Sequence, residues 1–142
     1  MRRRLGAGLA AALLATVAAG GCGQRAEDSS RFKLSGTIAL VPAFKTRAAG
    51  PKRVLLIVAK NSSGIPIAVQ RIVSPRFPLA FEMEAGDLVL PRSASQEPLW
   101  IEAQVTQRLP LGPPAKGDLV GRYPDKVLSG DKAVYLIINK KL

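Results

Sequence analysis

From Phe32 to its end, the chain holds no apolar stripe at helical spacing that runs for long. Its apolar residues come in short segments that alternate with polar ones, and prolines and glycines break in between. Most of the 11 prolines lie after residue 50, and each would remove a helical hydrogen bond and clash with the preceding turn. Long helices are therefore excluded over most of the chain. With 47% of residues apolar, the chain still has a core to build. The faces of β-strands are where it can do so, and an all-β fold is expected.

Seven strands can be placed by alternation. The first is Lys33–Val41, with Leu34, Ile38 and Leu40 on one face. Arg53–Lys60 (RVLLIVAK) is apolar almost throughout, the pattern of a central strand. The turn Asn61-Ser62-Ser63-Gly64 leads into Ile65–Val73, with Pro66 near the start, where a missing N–H does least harm. Pro78–Glu84 points Leu79, Phe81 and Met83 one way and Ala80, Glu82 and Glu84 the other. Leu99–Arg108 points Leu99, Ile101, Ala103 and Val105 inward and Trp100, Glu102, Gln104 and Thr106 outward. A short strand over Asp118–Arg122 and a last one over Ala133–Asn139, apolar on both faces, complete the set. About seven strands in about 110 residues predict an immunoglobulin-like two-sheet β-sandwich, and a closed barrel would use the same count.

The first 22 residues are of a different kind. Arg2, Arg3 and Arg4 precede an uncharged apolar run from Leu5 to Ala19. That run of 15 residues is shorter than the roughly 20 a membrane-spanning helix needs. Basic head, short apolar run and small residues make a secretory signal. It ends in Ala19-Gly20-Gly21-Cys22, which resembles a bacterial lipobox with cleavage before Cys22. Residues 1–21 are thus expected to be a lipoprotein signal peptide, 22–32 a lipidated N-terminus and tether, and 33–142 the sandwich. The resemblance implies a diacylglycerol-bearing Cys22 on the periplasmic side of a membrane. Gly23 stands where an inner-membrane retention signal would have Asp, which points to the outer membrane. Two or more acyl chains anchor stably, at about 0.8 kcal/mol per buried methylene.

Composition removes much chemistry. The chain has no histidine, so Ser-His-Asp and Cys-His catalysis and imidazole metal sites are excluded. Its single cysteine allows no intrachain disulfide and no CxxC pair. Glu82 and Glu84 share one strand face and could act as an acid–base pair, but they are also simply the polar half of an alternating strand. Asp118, after Gly117, can close a turn with its own backbone. Asp125, Asp131 and Glu102 show no metal-ligand spacing. The chain is read as non-enzymatic, without cofactor or metal.

The charge points to partners. Against 21 basic residues stand 10 acidic ones, a net +11. Removal of the signal takes three arginines and leaves 121 residues at +8. Such a surface attracts anionic lipid, glycan phosphates or an acidic protein, or else keeps a tethered domain soluble. Nucleic acid is not met in that compartment. Trp100, on an outward strand face, is an interface anchor or packs under the proline-rich Leu109–Ala115 segment. Arg76, Arg92, Arg108 and Arg122 are candidates to rim a partner-binding surface around it.

Six segments, in order, resemble a known family. They are RVLLIVAK (Arg53–Lys60), GIPIAVQRI (Gly64–Ile72), FPLAFEM (Phe77–Met83), PLWIEAQVTQ (Pro98–Gln107), KGDLVG (Lys116–Gly121) and VLSGDKAVYLIIN (Val127–Asn139). Together they resemble the periplasmic C-terminal β-domain of the cytochrome c biogenesis protein CycH/CcmI. That family carries transmembrane helices and helical repeats before this domain, and none is legible here. Gln104 replaces a common Arg, and Ala85–Glu97 replaces a Met-rich loop. The resemblance implies an immunoglobulin-like fold and a setting in c-type cytochrome maturation, with apocytochrome c or the haem ligation machinery as partner. The alternative is a general envelope lipoprotein that binds anionic lipid or glycan. Cys22→Ala is expected to release the protein from membranes, and mass spectrometry of the native N-terminal peptide to find a lipid adduct on Cys22. An unmodified sulfur there would refute the anchor.

Overall fold

A computed structural model describes residues 31–109 and 111–142. The segment expected to be a signal, with Cys22, lies outside the described residues. The chain forms the expected two-sheet β-sandwich, with eight strands: β1 (Lys33–Leu40), β2 (Val54–Lys60), β3 (Pro66–Val73), β4 (Leu79–Glu84), β5 (Trp100–Thr106), β6 (Leu119–Arg122), β7 (Val134–Ile138) and β8 (Lys140–Lys141). A 3-10 turn at Pro42–Phe44 and the helical turn α1 (Lys45–Ala48) link β1 to β2. One sheet has the order β4-β1-β7 and the other β3-β2-β5-β6-β8. All pairings are antiparallel except that of β1 with β7, which is parallel with Gly36 opposite Val134.

Alternation decides which half of each strand is buried. Leu34, Ile38, Phe81, Met83, Leu136 and Ile138 from the smaller sheet meet Leu55, Ile57, Ala59, Ile101, Ala103, Val105 and Leu119 from the larger one. Burying each large aliphatic side chain is worth about 1.5–3 kcal/mol. Strand β2 is central, flanked by β3 and β5, as its apolar composition predicts.

Three local expectations change. Phe32, assigned to the tether, is only 2% exposed and belongs to the core. The closing strand is apolar on both faces in sequence but buries one: Val134, Leu136 and Ile138 are covered, whereas Tyr135 and Ile137 face solvent. An eighth strand, Lys140–Lys141, follows it. After Ile138 the chain leaves β1 and pairs antiparallel with β6, Lys140 opposite Val120. The C-terminal segment therefore belongs to both sheets in turn.

Two glycines permit that path. A Cβ on Gly36 would collide with the Val134 carbonyl oxygen, and one on Gly121 with the Ile137 carbonyl oxygen. Both obstacles are backbone, which a rotamer change cannot clear. Gly36→Ala and Gly121→Ala are each expected to cost about 2–4 kcal/mol, read as a lower denaturant midpoint. Gly64→Ala meets no atom within 4 Å and is strained only by its positive φ, so it should cost less. Equal loss at all three positions would refute the close-approach argument.

Candidate functional site

The outward half of the five-stranded sheet carries the most unusual chemistry. In an antiparallel sandwich this half is ordinarily polar. Here β2 turns Val54, Leu56 and Val58 outward, and β3 and β6 add Val69 and Val120. Leu56, Val58, Val69 and Val120 floor a groove of about 910 Å³. Leu111, Gly112, Pro113 and Pro114 form one wall, and Asn139, Lys140 and Leu142 border it elsewhere.

The proline-rich wall is held by one carboxylate. Asp118 Oδ2 accepts hydrogen bonds from Gln104 Nε2 at 2.9 Å, from an Arg108 guanidinium nitrogen at 2.7 Å and from the Ala115 N–H at 3.0 Å. The same guanidinium nitrogen donates to the Pro113 carbonyl at 3.2 Å, so the segment is fastened at two points. Asp118 does close a turn, but backward onto Ala115. Gln104 and Thr106, expected to face solvent, do point outward yet are only 6% and 2% exposed. Both belong to the polar cluster beneath the folded-back 111–115 segment.

Burial pushes the Asp118 carboxyl up, but hydrogen bonds from Arg108, Ala115 N–H and the Thr106 hydroxyl outweigh it and hold the group below its ordinary value. Arg108 is raised, chiefly by its bond to Asp118. On the far side of the molecule, Glu82 is lowered first by its hydrogen bond from Lys33, at 2.8 Å, and Lys33 is raised by the same bond. Glu84 lies 3.8 Å from the same ammonium, so the two carboxylates share one exposed cation. Among the described residues no three His, Cys, Asp or Glu side chains gather as a metal site.

The other end of the groove is cationic. Lys60 Nζ lies 2.6 Å from Glu102 Oε2, and Arg122 Nε lies 3.9 Å from Glu102 Oε1. The Arg122 guanidinium also sits 4.4 Å from the centre of the Trp100 ring, with Lys126 Nζ at 5.6 Å. Trp100 is therefore half-buried under two cations. Neither sequence reading anticipated this cover.

The five residues singled out in the sequence do not form one surface. Trp100 and Arg122 come together. Arg108 lies at the opposite end, bound to Asp118. Arg76 lines a separate cavity of about 810 Å³ with Tyr135 and Lys45, and Arg92 is exposed in a 3-10 turn. Lys60, Arg71 and Lys140, which are not among those five, border the groove. Their outward parity was legible; their convergence depends on strand order.

Asp118→Ala leaves the Ala115 N–H without its acceptor and the buried Gln104 amide with only a 3.4 Å bond to the Gly112 carbonyl, and is expected to lower stability by about 1–3 kcal/mol. Because the folded carboxyl lies below its unfolded value, its contribution is present above about pH 4 and is lost as pH falls through the folded value. Denaturant titrations should show a shallower acid slope for Asp118→Asn than for wild type. Identical slopes would contradict the cluster.

No family model matches this chain, and no solved structure matches it. The chain is similar to an "Uncharacterized protein" of Aquifex aeolicus (strain VF5), 28% identical over 115 residues, which span 80% of this chain and 75% of that protein.

Proposed function

We propose that the chain is a lipid-anchored bacterial envelope protein whose β-sandwich binds a protein partner without catalysing a reaction, and that it serves c-type cytochrome maturation. The observation that carries this reading is the groove: an apolar floor on a sheet face that is ordinarily polar, ringed by basic side chains. The carboxylates on its floor and behind its wall are already engaged, Glu102 by Lys60 and Arg122 and Asp118 by Gln104, Arg108 and the Ala115 N–H. Such groups hold shape and charge and are not poised to move protons. The partner's setting, apocytochrome c or the haem ligation machinery, is drawn from the resemblance of the six segments to the CycH domain.

Anchoring through Cys22 places the sandwich on the periplasmic side of a bacterial membrane, the outer membrane by the residue at position 23. Among the described residues no helix is long and apolar enough to cross a membrane. A tether of about ten residues keeps the sandwich near the bilayer and raises its effective concentration toward membrane-bound partners. A shallow binding surface of modest affinity then suffices.

Deleting the gene is expected to lower haem-staining c-type cytochromes in the membrane fraction, and the wild-type gene to restore them. Unchanged cytochromes, with binding only to anionic lipid or glycan that vanishes at about 0.1 M salt, would replace this reading with that of a general envelope lipoprotein.

A further inference from the structure

We propose that the groove on the outer face of the five-stranded sheet is a docking site for an amphipathic helix of a partner protein, with an apolar stripe on its inner side and carboxylates along both flanks. The inference names the partner chemistry of the protein-binding reading above and rests on it.

The groove lies on a sheet face, and its central strands β2 and β5 are paired on both sides. No ladder positions are open there, so a bound segment must satisfy its own backbone. A helix does this internally, whereas an extended segment on a face does not.

From β3 to β6 there are three strand spacings, or about 14 Å. A helix with its side chains is about 10–12 Å across. The groove volume of about 910 Å³ holds roughly two turns of such a helix. A single acyl chain is far thinner and would leave most of the floor wet.

Lys60, Arg71, Arg122 and Lys140 line the groove against one acidic side chain on its floor, Glu102. Glu102 is already taken by Lys60 and Arg122. Among the described residues no carboxylate lies within ion-pairing distance of Arg71 or Lys140. Those two stand on opposite borders: Arg71 on β3 across from Leu56, and Lys140 on β8 across from Val120. Between them run Leu56, Val58, Val69 and Val120. The ligand that matches is apolar in the middle and acidic on either side. The apolar strip supplies the affinity, and the exposed cations set orientation and exclude basic helices.

The test is fluorescence anisotropy with the full chain and a labelled synthetic peptide of about four helical turns, with leucines at i, i+3, i+4 and i+7 and glutamates beside them. The peptide should bind and gain helical circular dichroism. Moving the leucines off one face, or placing a proline at its centre, should weaken binding about tenfold or more, as should the double substitution Arg71→Glu/Lys140→Glu. Both substituted residues are exposed on strands, and an unchanged melting temperature confirms the fold.

Equal binding of the scrambled or proline peptide would overturn the proposal. So would indifference to the double charge reversal, or failure to bind the peptide while the protein sediments with phosphatidylglycerol vesicles. The cytochrome reading fails separately. If deletion leaves cytochromes unchanged but the peptide binds as described, the groove stands without that setting. If deletion lowers cytochromes but the peptide does not bind, only the helix proposal falls.

Discussion

The sandwich depends on two places where main chain meets main chain with no side chain between. At Gly36 the first strand admits the last one as a parallel neighbour, and at Gly121 the short β6 admits the same segment as it crosses over. The C-terminal residues thereby join the three-stranded and five-stranded sheets through backbone hydrogen bonds as well as through the core. Asn139 N–H donating to the Val120 carbonyl and Val41 N–H donating to the Ile138 carbonyl mark the two sides of the crossing. A two-sheet fold of this size without a disulfide gains from such a shared strand. Neither layer can part without breaking hydrogen bonds as well as exposing apolar surface.

The same alternation that fills the core creates the candidate site. Strand β2 is apolar on both halves, with Leu56 and Val58 set between the core residues Leu55, Ile57 and Ala59. Facing outward, they are partly roofed by the proline-rich segment and otherwise left as a floor. The roof stays in place through a buried carboxylate that gathers an amide, a guanidinium and a main-chain N–H. Prolines keep that segment stiff, so few contacts suffice to hold it. Core, wall and groove thus follow from one strand pattern plus one polar cluster.

Local patterns are legible in the residues; strand pairings are not. All seven expected strands form within a residue or two of their expected ends, because alternation is a property of neighbours in sequence. Lys140–Lys141 was missed because two lysines carry no pattern, and only the position of β6 makes them a strand. Phe32 fell on the wrong side of a boundary for a similar reason: the sequence shows an aromatic after a polar run, not the core it enters. For Gln104 and Thr106, parity was right and exposure wrong, since burial came from a segment folding back from positions 111–115. Trp100 is covered by Arg122 and Lys126, one of them two residues along the neighbouring strand's register. The arginines at 76, 92 and 108 show that basic residues spread along a β-chain scatter over both faces and both ends unless strand order gathers them.

The claim on which the functional account turns is that partners are recognised on the outer face of the five-stranded sheet. Amide chemical-shift mapping of the isotope-labelled protein, titrated with an acidic amphipathic helix, tests it directly. The account predicts shift changes along β2 and β3, at Glu102 and Gln104, through the 111–122 region and at 139–142. Changes centred on Tyr135 and Ile137 of the opposite sheet, or none at all, would contradict it.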